Sequence, residues 1–384
     1  MLSRNTLVRL TNRRVLQVRG VDAARFLQGI ITNDMKGVAA PQDAVYGAFL
    51  TTKGRVLGDC NVVQVEPETF FLDYDAAVET ELTKHWKRYK LRMKVTLEDK
   101  SSDFATYAAL PAAIAQTDFT DFATYAALPA AIAQTDFTCV TPTPTVDDVL
   151  SRNSREASAA HGAVFRDPRG DSLGVRAILP TNDTLSVPSD FAKGDVQTYD
   201  NFRSYLGVIE GAELGDGIPL ESNLELLHGV SFRKGCYVGQ ELTARTQFKG
   251  NVRKRYIPLA MVPSSAGDLA QELAQLPFAR IDAESHGALR QYLASAALAT
   301  APETGTSLVK PDSSKSVGSI ALSGSATGTA TAMMRLAHLM PSEDGDSTDV
   351  PRMQFTTADG AFHAIPYQPL WWPSLDSKTG KMLL

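Results

Sequence analysis

The chain of 384 residues is 43% hydrophobic and 21% charged with a formal net charge of −5, which is enough material for more than one packed unit and too acidic overall to suggest a nucleic-acid binder. No apolar run approaches the ~18 residues that a membrane span needs. Its three cysteines, Cys60, Cys139 and Cys236, lie far apart with no CxxC pair, which excludes a disulfide framework and a self-contained zinc or iron–sulfur site and fits a reducing compartment.

Residues 1–21 carry Arg4, Arg9, Arg13, Arg14 and Arg19 and no acid. That is the composition of a mitochondrial transit peptide. The same stretch alternates, however, through Leu7 to Leu10 and again through Val15 to Val18, and this pattern predicts a first β-hairpin. A short helix is expected over 21–29, capped by Asp22, burying Phe26 and Leu27 and ended by Gly29. Thr32, Asn33 and Asp34 supply turn chemistry. Strands at 44–50 and 56–65 bracket a hairpin turn at Thr52, Lys53 and Gly54 and place Asp59 and Cys60 on the second strand. Leu82, Trp86 and Tyr89 have the spacing of an amphipathic helix over 79–90, with Trp86 in the core, and a strand follows at 93–97.

The segment DFATYAALPAAIAQTDFT at 103–120 recurs letter for letter at 121–138. Two identical copies do not make a repeat architecture, which needs three or more diverged units. One copy is expected to be extruded on the surface, with helical character around 108–115; loop entropy permits this, since each doubling of a loop costs about 0.6 kcal/mol. Residues 141–160 read as a loop with one helical turn. Residues 164–180 read as two strands around Asp167, Pro168, Arg169 and Gly170, and 199–208 as a helix burying Tyr205 and Leu206. From 256–262 to 361–366, strands separated by Ser, Gly and Ala predict a β-barrel-like unit, with a low-complexity insertion at about 299–315 and an acidic, solvated loop at 342–349.

The densest chemistry lies at 220–259. Between His228 and Ile257 stand Arg233, Lys234, Arg245, Lys249, Arg253, Lys254 and Arg255 against one acid, Glu241. A chain that is acidic overall yet gathers cations in one segment is suited to holding an anion there. Cys236 sits in KGCYVGQE, and the preceding Arg233 and Lys234 favour its thiolate, the nucleophilic and metal-binding form. Gly235 and Gly239 permit positive φ or close approach of another group. The run from Gln240 and Glu241 to Arg245 reads as the start of a helix, which puts the thiol near a helix N-terminus. The plainer alternative, a small buried cysteine in a tight turn, stays open.

Four stretches carry a family resemblance: VRGVDAARFLQGIITND at 18–34, AFLTTKGRVLGD at 48–59, DPRGDSLGVR at 167–176 and LESNLELLHGVSFRKGCYVGQELTARTQFKGNVRKR at 220–255. In this order they resemble the YgfZ-related iron–sulfur assembly factors, whose fold is similar to the folate-dependent aminomethyltransferase (T protein) of the glycine cleavage system. The ELTAR and VRKR continuations look most like the mitochondrial members. The resemblance covers about two thirds of the chain and is weakest at 103–160 and after 264.

The resemblance implies an α+β, T-protein-like folate-binding fold: two interwoven α+β subdomains over 1–255 and a C-terminal β-barrel-like domain over 256–384. It places the first strands inside the mature domain, so that any presequence is missing from this chain, and it implies the mitochondrial matrix. The implied role is maturation of 4Fe-4S enzymes such as aconitase and the lipoate and biotin synthases, with A-type iron–sulfur carriers as partners and tetrahydrofolate as cofactor. For a pteridine, Glu221, Asn223 and Glu225 are candidates for the amino-pyrimidine edge and Tyr237 and Phe232 for the ring faces. Arg245, Arg253 or Arg255 would take the glutamate tail, although each arginine by itself reads better as a surface charge. Cys236 is implied as a redox-responsive thiol or transient cluster ligand; one thiol cannot hold a cluster, so the remaining ligands come from a partner and no intrinsic metal site is expected. Where the T protein has adjacent acids this chain has Gly58 and Asp59, which puts transferase activity in doubt. Two alternatives remain, a one-carbon transferase with Asp59 as its acid and a non-catalytic adaptor that docks carriers on the basic stripe.

Overall fold

The computed structural model describes residues 4–112, 144–153, 157–274, 276, 278, 281, 287–310, 315–339, 355–358, 360–369, 371–376 and 378–382. The chain starts with strands β1 (Thr6–Arg9) and β2 (Arg13–Arg19) and helix α1 (Ala23–Ile30). Strands β3 (Ala44–Leu50), β4 (Val56–Glu66) and β5 (Thr69–Asp75) lead to helix α2 (Glu79–Lys90) and strands β6 (Thr96–Asp99) and β7 (Phe104–Leu110). Helix α3 (Pro144–Arg152) precedes β8 (Ala163–Arg166), β9 (Val175–Pro180) and β10 (Ala192–Gly194), and then come helices α4 (Val196–Leu206) and α5 (Gln240–Lys249). Next are β11 (Lys254–Pro263), α6 (Asp268–Leu273), α7 (Gly287–Ser295) and β12 (Ser307–Val309). The last strands are β13 (Ser316–Gly324), β14 (Thr329–Arg335), β15 (Phe355–Thr357) and β16 (Phe362–Pro366).

These strands form a five-stranded sheet β10-β1-β7-β9-β8, a second sheet β3-β4-β5-β2-β6 and a closed barrel β11-β14-β13-β12-β15-β16. The expected first hairpin is therefore not formed. β1 pairs with β7, Thr6 opposite Leu110, and with β10, whereas β2 pairs with β5 and β6. Alternation fixes a strand's buried face without naming its partner, and here consecutive strands enter different sheets. The two sheets stack through Val15, Val63 and Phe71 of one and Phe104, Phe165 and Ile178 of the other. α1 and α2 cover the far face of the second sheet, and Val146 and Val149 of α3 cover that of the first. Trp86 is core as expected, 1% exposed and edge-on to Phe49 at 5.5 Å and Tyr74 at 5.2 Å.

Several local expectations are corrected. The first copy of the duplicated segment supplies β7, buried at all seven positions and central in its sheet, so residues 108–110 are strand where helical character was expected. Alanine's preference for helix is a weak prior that two buried faces override. The second copy, Cys139 and the acidic run 342–349 lie outside the described residues. The strand expected at 93–97 is Thr96–Asp99, and the loop at 141–160 contains the nine-residue α3. Within the low-complexity stretch, β12 is a strand of the barrel, with Leu308 buried in the barrel core. Asp22 does not cap α1; its Oδ2 accepts the Lys94 backbone N–H at 2.8 Å, and the helix runs past Gly29 to Ile30.

Helix α4 joins the three sheets. The Asp195 carboxylate accepts the Thr198 N–H at 2.8 Å in a capping box, and Gly207, at φ 69°, ends the helix. Its Tyr199, Phe202, Tyr205 and Leu206 are buried in the core shared with both sheets and the barrel. The Tyr367 hydroxyl donates to the Tyr205 carbonyl at 2.8 Å and Trp371 Nε1 to the Leu206 carbonyl at 2.9 Å. These bonds fix the barrel on the end of α4, which sets the position of the segment that leads into KGCYVGQE.

Candidate functional site

Around this motif the chain has turns rather than strands, and its shape is imposed by contacts with the end of α1. Lys234 Nζ donates to the carbonyls of Gln28, Ile31 and Asn33, each at 2.7 Å. A cation at the C-terminal end of a helix meets carbonyls with no partner inside the helix and the negative end of its dipole. The ammonium also lies 4.9 Å from the centre of the Tyr237 ring. Burial lowers the Lys234 pKa to about 8, opposed by Asp34. Further bonds run in parallel: Thr32 Oγ1 donates to the Gly229 carbonyl at 2.6 Å, Asn33 Nδ2 to the His228 carbonyl at 2.7 Å and the Val238 N–H to the Gly29 carbonyl at 3.1 Å. The expected turn at Thr32, Asn33 and Asp34 thus serves as the anchor of the motif, a role that its spacing did not signal.

Gly239 begins α5 at φ 80°, and a Cβ there would stand 2.3 Å from the Thr51 carbonyl. Gly239 therefore has both properties expected of it. Gly235 has neither, because its φ is not positive and a Cβ would meet nothing within 4 Å. Gln240 Oε1 accepts the Tyr237 N–H at 3.1 Å. Cys236 is exposed between these fixed points, which removes the buried-cysteine alternative, whereas Cys60 is buried in the α1–α2 core and its thiol is pushed well up by burial. Arg233, Glu241, Arg245, Lys249, Arg253 and Lys254 are exposed. Among them Phe248, 68% exposed, packs its ring edge-on to Phe232 at 6.1 Å, an apolar spot that the sequence reading missed.

The suggested pteridine residues divide into two groups. Arg255 is fully buried: its guanidinium donates to the Leu220 carbonyl at 2.7 Å, Asn223 Oδ1 at 3.0 Å, the Glu225 carboxylate at 2.5 Å and the Gly380 carbonyl at 2.9 Å. Asn223, at φ 60°, donates in turn to the Tyr256 carbonyl at 2.8 Å. Asn223, Glu225 and Arg255 thus form an internal joint between the motif segment and the barrel, in place of the ligand contacts expected of them. Glu221 is half-buried with no hydrogen bond or ion pair among the described residues, Tyr237 is half-buried, and Arg245 is exposed.

Asp59 belongs to the interior as well. At 1% exposure its Oδ2 accepts the Tyr46 hydroxyl at 2.9 Å and its Oδ1 the Gly211 N–H at 2.7 Å. Burial raises its pKa, with Arg13 opposing. Beside it lies a buried ionic network. Glu210 meets Arg169 at 2.5 Å, Arg13 at 3.5 Å, Arg176 at 3.6 Å and Arg203 at 3.7 Å, and accepts the Tyr199 hydroxyl at 3.0 Å. Asp73 meets Arg13 at 2.8 Å and Arg176 at 3.4 Å, and Asp167 meets Arg169 at 2.7 Å. The network draws on β2, β5, the β8–β9 connection, β9 and α4, so it bonds the two sheets to α4. Among the described residues no group of three or more His, Cys, Asp or Glu side chains is placed to hold a metal ion.

Comparison with known proteins bears on the family and the fold. A family model described as the GCVT N-terminal domain matches residues 4–110. The mitochondrial iron–sulfur cluster assembly factor IBA57 homolog of Mycosarcoma maydis is 31% identical over 397 residues, covering 96% of this chain and 85% of that protein. The mouse IBA57 protein is 35% identical over 272 residues, covering 67% of this chain and 66% of that one, and the human protein is 34% identical, covering 65% of each. The crystal structure of glycine cleavage system aminomethyltransferase T from Bartonella henselae superposes with a TM-score of 0.58 over 100% of this chain and 88% of that one, at 14% identity. That likeness is one of fold, and the α+β, T-protein-like architecture with a C-terminal barrel is the one the sequence implied.

Proposed function

Since the chain belongs to the IBA57 family of mitochondrial iron–sulfur cluster assembly factors, we propose that it acts in the mitochondrial matrix in the maturation of 4Fe-4S enzymes, with Cys236 as the group that meets the cluster. The observation that carries this reading is an exposed thiol on a backbone held by the three Lys234 bonds and by Gly239. One thiolate leaves most cluster positions unfilled, so the other ligands come from a partner, an A-type carrier docked on the cationic face around Arg233 and Arg245. Cys236→Ser is expected to abolish the gain in client activity, read with aconitase, while leaving the thermal midpoint unchanged. A fully active variant removes the thiol from the mechanism. Raised ionic strength is expected to weaken carrier binding, because the cations concerned are solvent-exposed.

Tetrahydrofolate is the proposed cofactor, held by residues that take no part in the Asn223, Glu225 and Arg255 joint. Glu221 would face the amino-pyrimidine edge, Tyr237 a ring face and Arg245 the glutamate tail. When bound, the pteridine would bring redox or one-carbon chemistry beside Cys236. Anaerobic calorimetric titration is expected to show saturable binding that Glu221→Gln and Arg245→Ala both weaken; absence of binding removes folate and leaves the thiol reading standing. The transferase alternative depends on Asp59, whose carboxylate oxygens are both engaged inside the protein, and it would need that group to be uncovered.

A further inference from the structure

A second cationic face lies away from KGCYVGQE. Residues 82–97 contain six Lys or Arg and no Asp or Glu. On α2, Leu82, His85 and Trp86 are buried, and Lys84, Lys87 and Arg88 occupy the opposite, exposed side at helical spacing. Leu91, the next position on that side, is 79% exposed. Its backbone has φ 47° and ψ −124°, a region that suits glycine and that a bulky residue occupies at a cost, which makes this leucine a candidate for function.

The turn that follows lies against the turn before α1. The Lys94 N–H is bound by Asp22, a Cβ on Gly20 would touch the Lys94 carbonyl at 2.2 Å, and Arg19, Val21, Met93 and Lys94 line one shallow hollow. Val21 is 63% exposed, so two of the three exposed large hydrophobic side chains among the described residues stand on these neighbouring turns. Arg19, Arg25, Arg92 and Lys94 around them are exposed, and none forms an ion pair among the described residues.

We propose that the face formed by α2 and the turns at 19–25 and 91–94 rests on an anionic phospholipid bilayer, Leu91 and Val21 entering the interfacial layer and the free cations meeting the headgroups. Isolated apolar side chains among unpaired cations are what interfacial binding uses, without shape complementarity. Lysine is depleted in protein interfaces, and this face carries Lys84, Lys87 and Lys94. A single-strand nucleic-acid platform would present aromatic rings, whereas these side chains are aliphatic. No helix among the described residues is long and apolar enough to cross a membrane, so the contact is peripheral.

The test is co-sedimentation of the full chain with phosphatidylcholine vesicles and with vesicles in which phosphatidylglycerol replaces part of that lipid. Binding is expected with the anionic vesicles alone and should decline with added salt. Leu91→Gly suits the local backbone and keeps the fold, yet should reduce the bound fraction several-fold. The pair Lys87→Glu with Arg92→Glu should weaken partitioning by at least about fivefold for each cation removed. Arg245→Glu, on the other cationic face, should leave vesicle binding unchanged. Equal binding to neutral and anionic vesicles overturns the proposal, and so does loss in Arg245→Glu with retention in Leu91→Gly. No vesicle binding also overturns it and assigns the face to an acidic protein instead.

Discussion

Gly54 and Gly239 close on each other with room for a side chain on neither: the Gly239 carbonyl lies 2.8 Å from the place of a Gly54 Cβ, and the Gly54 Cα lies 3.2 Å from that of a Gly239 Cβ. Both have positive φ, 78° and 80°. The β3–β4 turn therefore sets the start of α5, and with it the position of Cys236 three residues earlier.

Gly239→Ala combines a disfavoured backbone with overlap on the Thr51 carbonyl, and should lower stability by about 2–4 kcal/mol. Gly235→Ala meets nothing and should change it by less than about 0.5 kcal/mol. Urea midpoints of the two variants decide the matter; similar losses at both positions would mean that the interlock does not set the loop.

Lys234→Met leaves three carbonyls unanswered at the end of α1 and should cost about 3 kcal/mol in chemical denaturation. Client maturation should fall even though Cys236 is intact. Lys234→Arg should not restore it, because a planar fork cannot replace a compact ammonium among three convergent oxygens. Full rescue by arginine would show that charge alone matters there.

Burial alone would raise the Glu210 pKa, but Arg169, Arg203, Arg13 and Arg176 outweigh it and hold the carboxylate well below its ordinary 4.5. A depressed folded pKa contributes stability that is complete above the unfolded value and is lost as pH falls through the folded one. Unfolding free energy should therefore decline on acidification below about 4.5. Asp59, whose folded pKa is raised, acts in the opposite sense, its contribution being lost as pH rises. Glu210→Gln should cost about 3–5 kcal/mol at neutral pH by leaving buried guanidiniums uncompensated, and should flatten the acid limb. An unchanged acid limb would remove Glu210 from this account.

The two described cysteines should separate in a maleimide experiment read by mass spectrometry. Cys236 should label in the native protein. Cys60, fully buried and with its thiol pushed up by burial, should label only at the rate of unfolding. Rapid native labelling of Cys60 would contradict the packing of β4 against α1 and α2.

Elements with a strong local period were legible. The α2 bounds, the β3–β4 hairpin and the strand pair around Arg169 agree with the pattern, because each buries a face that its own residues define. What failed depended on distant partners. Val8 and Val15 alternate alike but belong to different sheets, and the alanines of β7 have strand neighbours far away in sequence. At the site, the backbone demand at Gly239 was legible, but Gly235 carries the same letter without it, and the sequence left open whether Cys236 was a surface thiol or a buried one. Arg255 was not legible: a buried, saturated guanidinium and a solvated one have the same letter, and only Asn223, Glu225 and Gly380 reveal which it is.

The division of β1 and β2 between sheets also orders assembly. All five strands of the second sheet lie between β1 and β7, so that sheet can form from contacts within residues 13–99, while Thr6 must wait for Leu110. The β1–β7 pairing is then a clasp closed over a nested unit, and its loop-closure entropy is reduced by whatever has already folded inside. Pulsed hydrogen exchange should protect β4 and β5 before β1. A chain lacking residues up to Arg9 should retain the nested sheet and expose the edge of β7, making aggregation through that edge the expected form of failure.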